Sequence, residues 1–532
     1  MRPAKVALAA VMASALLVTA ACSSGSAASG GNSGDFASGG TFTLLAADDP
    51  GSLNTFQNIQ TPGVSMFKYL YSYLLSIDSS GKLVPELATS WTVGGGTVTF
   101  KLKTGVTCSD GTPVTATTIA DNFNYAKDPA NKAVQIGIIF PDTKFTATPD
   151  DATNTLTVKF DTPYGFVLQA LSLFPIVCGA GLKDPTTLTA KSSGSGPFVL
   201  TKAVTGTEYD FDKRAGYTWG PNGATNAAPG VPDKIVEKIV GSQSTAANLL
   251  ISKTANAAQI NGPDGARLTG SSLKSVDSVV GGISMLFNES PGRPTADIAV
   301  RKALTMVLDI PQVSATVTQG ISKVAGKSLT PAQTACDDTA AVSSIPTGDE
   351  TAADNLLAQA GWVAGSDGIR AKDGKQLAIT APYLTTTAGD APAMDLIAAA
   401  WKKLGAKVTE QPLDNAGVNT AMFSSGNYDV MPLIELAVPF QSILIGWLSG
   451  PNPPNGINTA HISTPAYTDN ANKAIQTPGD AGCALWTAAA NGLYDHADII
   501  PVSVLAARYF MQKATFDLWI GRVNPTSIRL LK

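Results

Sequence analysis

The chain has 532 residues, of which 44% are hydrophobic and 15% are charged, and its formal net charge is -4. This length exceeds what one hydrophobic core organises, so two or three domains are expected, and the composition is that of an ordinary globular protein, not a disordered or coiled one. The small net charge gives no electrostatic reason to expect nucleic acid or an anionic membrane surface as a partner.

The N-terminus has the form of an export signal. A positively charged start precedes an apolar run over residues 6–18. This run is too short to cross a bilayer core of about 30 Å as a permanent helix, so it predicts a signal peptide over residues 1–21.

The segment after this signal reads as a lipidated tether. Small residues leading to Cys22 resemble a bacterial lipobox, although Thr19 stands where Leu is usual. The resemblance implies that the Cys22 thiol carries lipid. Residues 22–40 are then almost wholly Ser, Gly, Ala and Asn, which is the composition of a flexible linker. The alternative is a plain secretory signal followed by a disordered mature end.

The predicted elements begin with a short strand over residues 41–45 and a helix within residues 65–75. Residues 97–103 alternate Thr or Lys with Val, Phe and Leu, the period-two pattern of a strand with one buried face. Turn residues follow at 109–113, and Thr115 is placed to be the N-cap of the next helix.

Similar patterns predict the remaining elements. They are, in chain order, a hairpin (146–160), a helix (166–173), a strand (235–240), a helix (246–251), a strand (284–288), two helices (297–304 and 352–362), a strand (377–383), a helix (393–404), and strands that begin at 428 and at 499. Strands that alternate with helices indicate a mixed α/β fold.

Two linked motifs carry a family resemblance. Residues 83–91, LVPELATSW, and the DGTP turn at 110–113 resemble, at the same offset, the extracellular solute-binding proteins that serve peptide and nickel ABC importers. The sequences at 194–198 and 352–362 resemble the same family. The resemblance extends over nearly the whole mature chain, residues 41–532.

This resemblance implies a periplasmic-binding-protein-like α/β architecture with two lobes and a double-strand hinge. Lobe 1 would comprise residues 41–278, with an extra subdomain at about 61–190, and lobe 2 would comprise residues 279–498. Residues 499–532 would return across the hinge to lobe 1.

The resemblance also implies candidate ligand-binding residues. Asn58 and Gln60 occupy the position that lines the ligand cleft in similar proteins, although polar residues there serve equally well as turn formers. Peptide-binding members use an Asp in lobe 2 to pair with the peptide's α-ammonium group. Here Glu435 is the only acid in that stretch, and it replaces this Asp, binds another cation or faces solvent. Phe440 and Trp447 either wall an apolar pocket or belong to the core.

Four cysteines remain if Cys22 carries lipid. An even number outside the cytoplasm favours disulfides, and four cysteines allow three pairings. The implied division into lobes favours Cys108 with Cys178 and Cys336 with Cys483, and buried free thiols are the alternative.

No catalytic or metal-binding motif holds in its context. Ser65 and Lys68 have the S-x-x-K spacing of a penicillin-binding nucleophile, and residues 103–105 spell K-T-G, but no S-D-N triplet lies between them. Residues 320–328 have one residue too many between glycines for a phosphate-binding P-loop. The two histidines have no cluster of ligands at metal-binding spacing. We therefore expect neither an enzyme nor a cofactor.

The function implied by the resemblance is that of a lipid-anchored substrate-binding protein of an ABC importer. It would act as a monomer on the outer face of the cytoplasmic membrane, capture short peptides between its lobes, and deliver them to a permease driven by an ATPase. A sugar or a metal chelate is the alternative ligand, and a secreted enzyme or a surface adhesin is the alternative class of protein.

Overall fold

The computed structural model describes residues 35–137, 139–140, 144–322, 328–330, 336, 343–385, 388–436 and 440–532. The predicted signal peptide (1–21), the lipidation site Cys22 and most of the predicted tether lie outside the described residues.

The strands and helices cover both halves of the chain. The strands are β1 (Thr41–Ala46), β2 (Leu75–Ile77), β3 (Leu83–Pro85), β4 (Ala88–Gly94), β5 (Thr97–Leu102), β6 (Phe145–Asp150), β7 (Thr155–Phe160), β8 (Phe198–Val204), β9 (Glu208–Lys213), β10 (Lys234–Ile239), β11 (Ala257–Gln259), β12 (Lys274–Phe287), β13 (Val363–Ala364), β14 (Arg370–Lys372), β15 (Lys375–Gln376), β16 (Ala378–Leu384), β17 (Lys407–Leu413), β18 (Val430–Leu436), β19 (Ile499–Met511), β20 (Ala514–Thr515), β21 (Leu518–Trp519), β22 (Arg522–Val523) and β23 (Arg529–Leu530). The α-helices are α1 (Thr61–Leu70), α2 (Ala116–Lys127), α3 (Val167–Ser172), α4 (Gly179–Lys183), α5 (Gln243–Ile251), α6 (Gly262–Thr269), α7 (Ile298–Met306), α8 (Ile310–Val317), α9 (Glu350–Gln359), α10 (Asp390–Lys403), α11 (Asn415–Asn419), α12 (Ile445–Leu448), α13 (Pro465–Ala474) and α14 (Asp480–Asp495).

An eight-stranded mixed sheet, in the order β18–β12–β19–β11–β1–β10–β9–β8, runs through the molecule. β1 pairs in parallel with β10 and β11, and the other neighbours pair antiparallel. Phe42 and Leu44 of β1 face the largest hydrophobic core, whereas Leu45 faces a smaller core that includes α5 and α6 residues. Buried residues on both faces make this sheet a central layer, and the mixed α/β prediction is confirmed.

Two long neighbouring strands, β12 and β19, connect the two halves of this sheet. They pair antiparallel from Lys274 opposite Met511 to Leu286 opposite Ile499. β19 pairs with β11 near one end, and β12 pairs with β18 near the other. The register of β12 against β19 shifts twice in the middle, between Val279 and Gly281 and between Ile283 and Ser284. The sheet therefore departs from regular pairing where it passes from one half to the other.

The stretch that carries the family resemblance forms a separate four-stranded sheet, β4–β5–β7–β6, packed against α2. The predicted N-cap is confirmed, because Thr115 and Thr118 form a reciprocal capping box at the start of α2. The disulfide between Cys108 and Cys178 joins the turn before α2 to the residue that begins α4. This is one of the two predicted pairs.

The second half of the chain has its own core. Helices α7 to α10 pack against strands β12, β16 and β18 around the buried Trp401. Gly361 and Gly405 follow α9 and α10 with φ of +87° and +93°, a conformation that favours glycine and ends the two helices. The second predicted disulfide, Cys336–Cys483, is also present.

Two predicted elements differ from the structure. The helix predicted within residues 65–75 begins at Thr61, where Pro62 suits the first turn, and ends at Leu70, because the next residue is extended. The strand predicted at 284–288 begins at Lys274. Its first residues are mostly exposed, so they lack the buried-face pattern by which a strand is recognised.

Candidate functional site

The two halves of the molecule meet where a loop of the first half docks on the second. The Gly165 N–H donates to the Ile475 carbonyl oxygen (2.7 Å), just beyond the end of α13. The Tyr164 hydroxyl lies 3.1 Å from the Ser442 hydroxyl. Glycine suits position 165, because an added Cβ would lie 3.1–3.3 Å from three carbonyl oxygens, closer than most Cβ contacts. This contact joins the loop at residues 164–166 of the first half to the second half.

Aromatic rings seal the same contact. Phe166 is buried, with its ring centroid 5.4 Å from that of Phe440 and 5.7 Å from that of Trp486. Phe440 has no exposed surface. Of the two interpretations of Phe440, the structure therefore supports a core position between the halves, not an open pocket wall.

The loop before α1 contains the predicted cleft residues Asn58 and Gln60. The Asn58 side-chain amide donates to the carbonyl oxygens of Pro50 (2.8 Å) and Ser52 (2.5 Å), and its Oδ1 accepts from the Gln60 N–H (2.8 Å). Asn58 thus uses both ends of its amide to shape the loop, which gives it a structural role. Gln60 is exposed at the N-cap of α1 without a side-chain capping bond, so its amide is accessible to solvent.

Glu435 lies on β18 opposite Ile283 of β12, next to the second register shift. Its side chain is solvent-exposed, yet the surrounding protein desolvates it enough to raise the pKa of its carboxyl above the ordinary value. Glu435 thus combines contact with water and a partly desolvated carboxyl group. Glu435 therefore has the accessibility expected of a cation-binding group.

Asp390, the first residue of α10, is a second acid beside Glu435. It is only 3% exposed, and no described residue donates a hydrogen bond to its carboxyl group. Burial, with the charge of Glu435 as the smaller cause, raises the pKa of Asp390 to about 7. Sequence analysis did not identify this acid, because its neighbour Glu435 is distant in sequence.

Trp447 differs from Phe440. It is half-buried, and its ring meets that of Phe423 edge-on at 5.9 Å. Phe423 is 39% exposed, so the two rings present an accessible aromatic surface. Of the predicted aromatic residues, Trp447 is the one available to contact a ligand.

Arg522 is a functional candidate that sequence analysis missed. It lies in the C-terminal turn, where its Nη2 donates to the Thr61 hydroxyl at the start of α1 (3.3 Å). The adjacent Gly521 lies so close to β12 that an added Cβ would be 2.3 Å from Val280 Cγ1. The arginine therefore lies between the predicted cleft loop and the strand that joins the halves.

Two fully buried cations of the described chain, Lys68 and Arg301, have carboxylate partners. Lys68 Nζ lies 2.9 Å from Glu86 Oε2, with both side chains nearly inaccessible. Arg301 Nη2 lies 3.1 Å from Asp498 Oδ1, and its remaining donors bind backbone oxygens, so its contacts are those of a structural residue. Because Lys68 is held by Glu86, it is not available to activate Ser65 as a nucleophile.

Within the described part of the chain, no group of three or more His, Cys, Asp or Glu side chains is arranged to hold a metal ion. The candidate site therefore consists of polar and aromatic side chains, the kinds of group that line small-molecule sites.

Comparison with known proteins identifies the family. The model of the bacterial extracellular solute-binding proteins, family 5, middle region, matches residues 82–457. The chain belongs to this family. Members of this family are extracellular solute-binding proteins.

Relatives and solved structures agree with this assignment. This family 5 protein is 28% identical over 348 residues to Protein XP55 of Streptomyces lividans, with 63% of the chain and 60% of XP55 covered, so it spans less than two thirds of that relative. A substrate-binding protein from Microbacterium hydrocarbonoxydans, complexed with 4-hydroxybenzoate hydrazide, matches with a TM-score of 0.74 and 25% identity over 92% of this chain and 99% of the other.

The oligopeptide-binding protein AppA of Bacillus subtilis, in complex with a nonapeptide, has the same fold. It matches with a TM-score of 0.75 and 19% identity over 93% of this chain and 99% of AppA. The predicted periplasmic-binding-protein-like fold is confirmed. Among the described helices of the solute-binding protein, none has the length and apolarity to cross a bilayer.

Proposed function

We propose that this family 5 protein captures short peptides in the crevice between two lobes and delivers them to an ABC permease. The lobes would be residues 41–278 with 499–532, and residues 279–498. The observation that carries this proposal is the pair of long strands, β12 and β19, which alone among the described elements connect the two halves within one sheet. Two adjacent connections with disturbed register suit a hinge that closes on a ligand.

Two features of this chain and one solved structure support a peptide ligand. Glu435 offers a carboxylate to an N-terminal ammonium group, in place of the Asp of peptide-binding relatives. Trp447 and Phe423 offer an apolar surface to side chains. AppA, which has the same fold, binds a nonapeptide. A non-peptide ligand is the second candidate, because the relative from Microbacterium hydrocarbonoxydans was crystallised with a hydrazide.

The experiment that tests the ligand is native mass spectrometry of freshly purified protein, followed by fragmentation of any released compound. A short peptide, bound and released without chemical change, supports the proposal. A hydrazide, a sugar or a metal chelate would replace the ligand class, and a chemically altered compound would indicate an enzyme.

We also propose that lipid on Cys22 anchors the protein through lobe 1 to the outer face of the cytoplasmic membrane. Support comes from the start of the described chain. Phe36 bridges to Leu531, and the Ala37 N–H donates to the Leu530 carbonyl oxygen (2.9 Å) on the lobe 1 side. A tether that leaves from there keeps lobe 2 free to move. Replacing Cys22 with Ala would release the protein into the medium, whereas unchanged membrane fractionation would contradict the lipid anchor.

A further inference from the structure

Arg522 lies at the boundary of the proposed lobes. Gly521, with a φ of +75°, brings the C-terminal turn against β12 at Val280, within the first register shift. On its other side, the Arg522 guanidinium reaches Thr61 Oγ1, one residue after the exposed Gln60. Lobe 1, the cleft loop and the connecting strand therefore meet at this side chain.

The guanidinium has no anionic partner. Nη1 donates to the Ile520 carbonyl oxygen (3.1 Å), and Nε is buried without a hydrogen-bond partner. The charged and titratable groups that act on Arg522 are the hydroxyls of Tyr509 and Tyr73, and no described carboxylate lies within ion-pair distance. Lys68 and Arg301, by contrast, each have a carboxylate partner.

The surroundings of Arg522 make this lack of a partner costly. Burial lowers the pKa of the guanidinium, and the nearby Trp519 Nε1 is a second buried donor without a partner. A desolvated charge is destabilising unless a counter-charge and hydrogen bonds compensate it. Arg522 as a residue is nevertheless only half-buried, so part of it contacts solvent.

We propose that Arg522 binds an anionic group of the transported solute, a carboxylate in the case of a peptide. This inference rests on the proposed capture function, and it specifies that the captured ligand carries an anionic group where it contacts Arg522. A planar guanidinium can donate two parallel N–H···O bonds to one carboxylate. The unpartnered Nε of Arg522 is one such donor. A lysine at this position would not reproduce the two-point contact.

The test compares Arg522→Gln with a matched control, Arg529→Gln. Arg529 is also partly desolvated in lobe 1, but its guanidinium already donates to the carbonyl oxygens of Thr526 and Ile528. Thermal unfolding of the wild type and both variants is measured in sodium acetate and in acetamide at constant ionic strength. We expect acetate, and not its neutral isostere, to raise the unfolding temperature of the wild type and of Arg529→Gln. Arg522→Gln should lose this response. An equal acetate response in Arg522→Gln and wild type, or no response in the wild type, would overturn the inference.

A second measurement separates this inference from the peptide proposal. Calorimetric titration with trialanine and with trialanine amide should show that Arg522→Gln weakens binding of the free acid by about 10- to 100-fold and leaves binding of the amide unchanged. If the acid binds wild type and Arg522→Gln equally, Arg522 is not the anion site. If neither tripeptide binds but the acetate response depends on Arg522, the peptide proposal fails and the anion site stands.

Discussion

Asp390, beside Glu435 in the second half, allows a test of how burial changes the ionisation of an acid. Its carboxyl is 3% exposed at the first turn of α10, and burial raises its pKa from 3.8 to about 7, with Glu435 as the second cause. The helix N-terminus favours the ionised form by roughly 1 kcal/mol at most, so desolvation outweighs the helix dipole.

The sign of the pH dependence follows from proton linkage. At pH values between these two pKa values, folded Asp390 holds a proton that the unfolded chain has released. The free energy of unfolding therefore falls as pH rises, by about 1.4 kcal/mol per pH unit. The stability contributed by the protonated group is complete below the unfolded pKa and is lost by about pH 7, a total on the order of 4 kcal/mol.

Replacement of Asp390 with Asn removes this titration. We expect urea unfolding at a series of pH values to show that Asp390→Asn loses less stability than wild type between about pH 4 and 7. The difference in slope should be at most about 1.4 kcal/mol per pH unit, the value for one proton. Glu435→Gln should shift the wild-type transition to lower pH, because it removes the second cause of the raised pKa. Asp395→Asn is the matched control, since Asp395 is exposed on the same helix. Parallel stability curves for wild type and Asp390→Asn would refute this reasoning.

Three further predictions concern the core and the contact between the halves. Glu237 is buried with one carboxyl oxygen unpartnered, and burial raises its pKa to about 8. At pH 9, where the buried carboxyl is ionised, Glu237→Gln should therefore unfold at a higher temperature than wild type. A lower unfolding temperature would contradict this. Phe166→Ala should lose about 3–5 kcal/mol of stability. Because the ring partners of Phe166 belong to the other half, the variant should also have a larger radius of gyration by X-ray scattering. An unchanged radius would mean that this contact does not hold the two halves together. Replacing both Cys336 and Cys483 with Ser should lower the free energy of unfolding by about 5 kcal/mol. This is roughly 0.7 kcal/mol more than the loss of the other disulfide, because the bridged residues are 147 apart in sequence and not 70. Chemical denaturation of the two double variants shows which one is less stable.

Local chemistry made part of the fold predictable. The strand before the DGTP turn and the Thr115 cap were predictable because alternation and capping act over a few residues. The first part of β12 was not, because it is exposed and is held by pairing with β19, more than two hundred residues later in the chain. Its pairing partner leaves no local pattern in the sequence.

The candidate site was harder to predict for the same physical reason. The position of Glu435 was found from the family resemblance, but its neighbour Asp390 comes from another element. Asn58 was predicted as a polar loop residue, and sequence does not reveal that its amide is used by its own loop. Arg522 has no motif around it. Its distinguishing property is the absence of a described counter-charge, which only three-dimensional packing reveals.

The side-by-side course of β12 and β19 limits the kind of motion open to the protein. A single connecting strand would let one half swivel and tilt freely, but two hydrogen-bonded strands must deform together. Sliding or twisting of one against the other would break their ladder, whereas a common bend perpendicular to both preserves it. The relative motion of the two halves is thereby restricted to nearly one degree of freedom. A solute that contacts both halves would therefore change one quantity, the bend angle of β12 and β19.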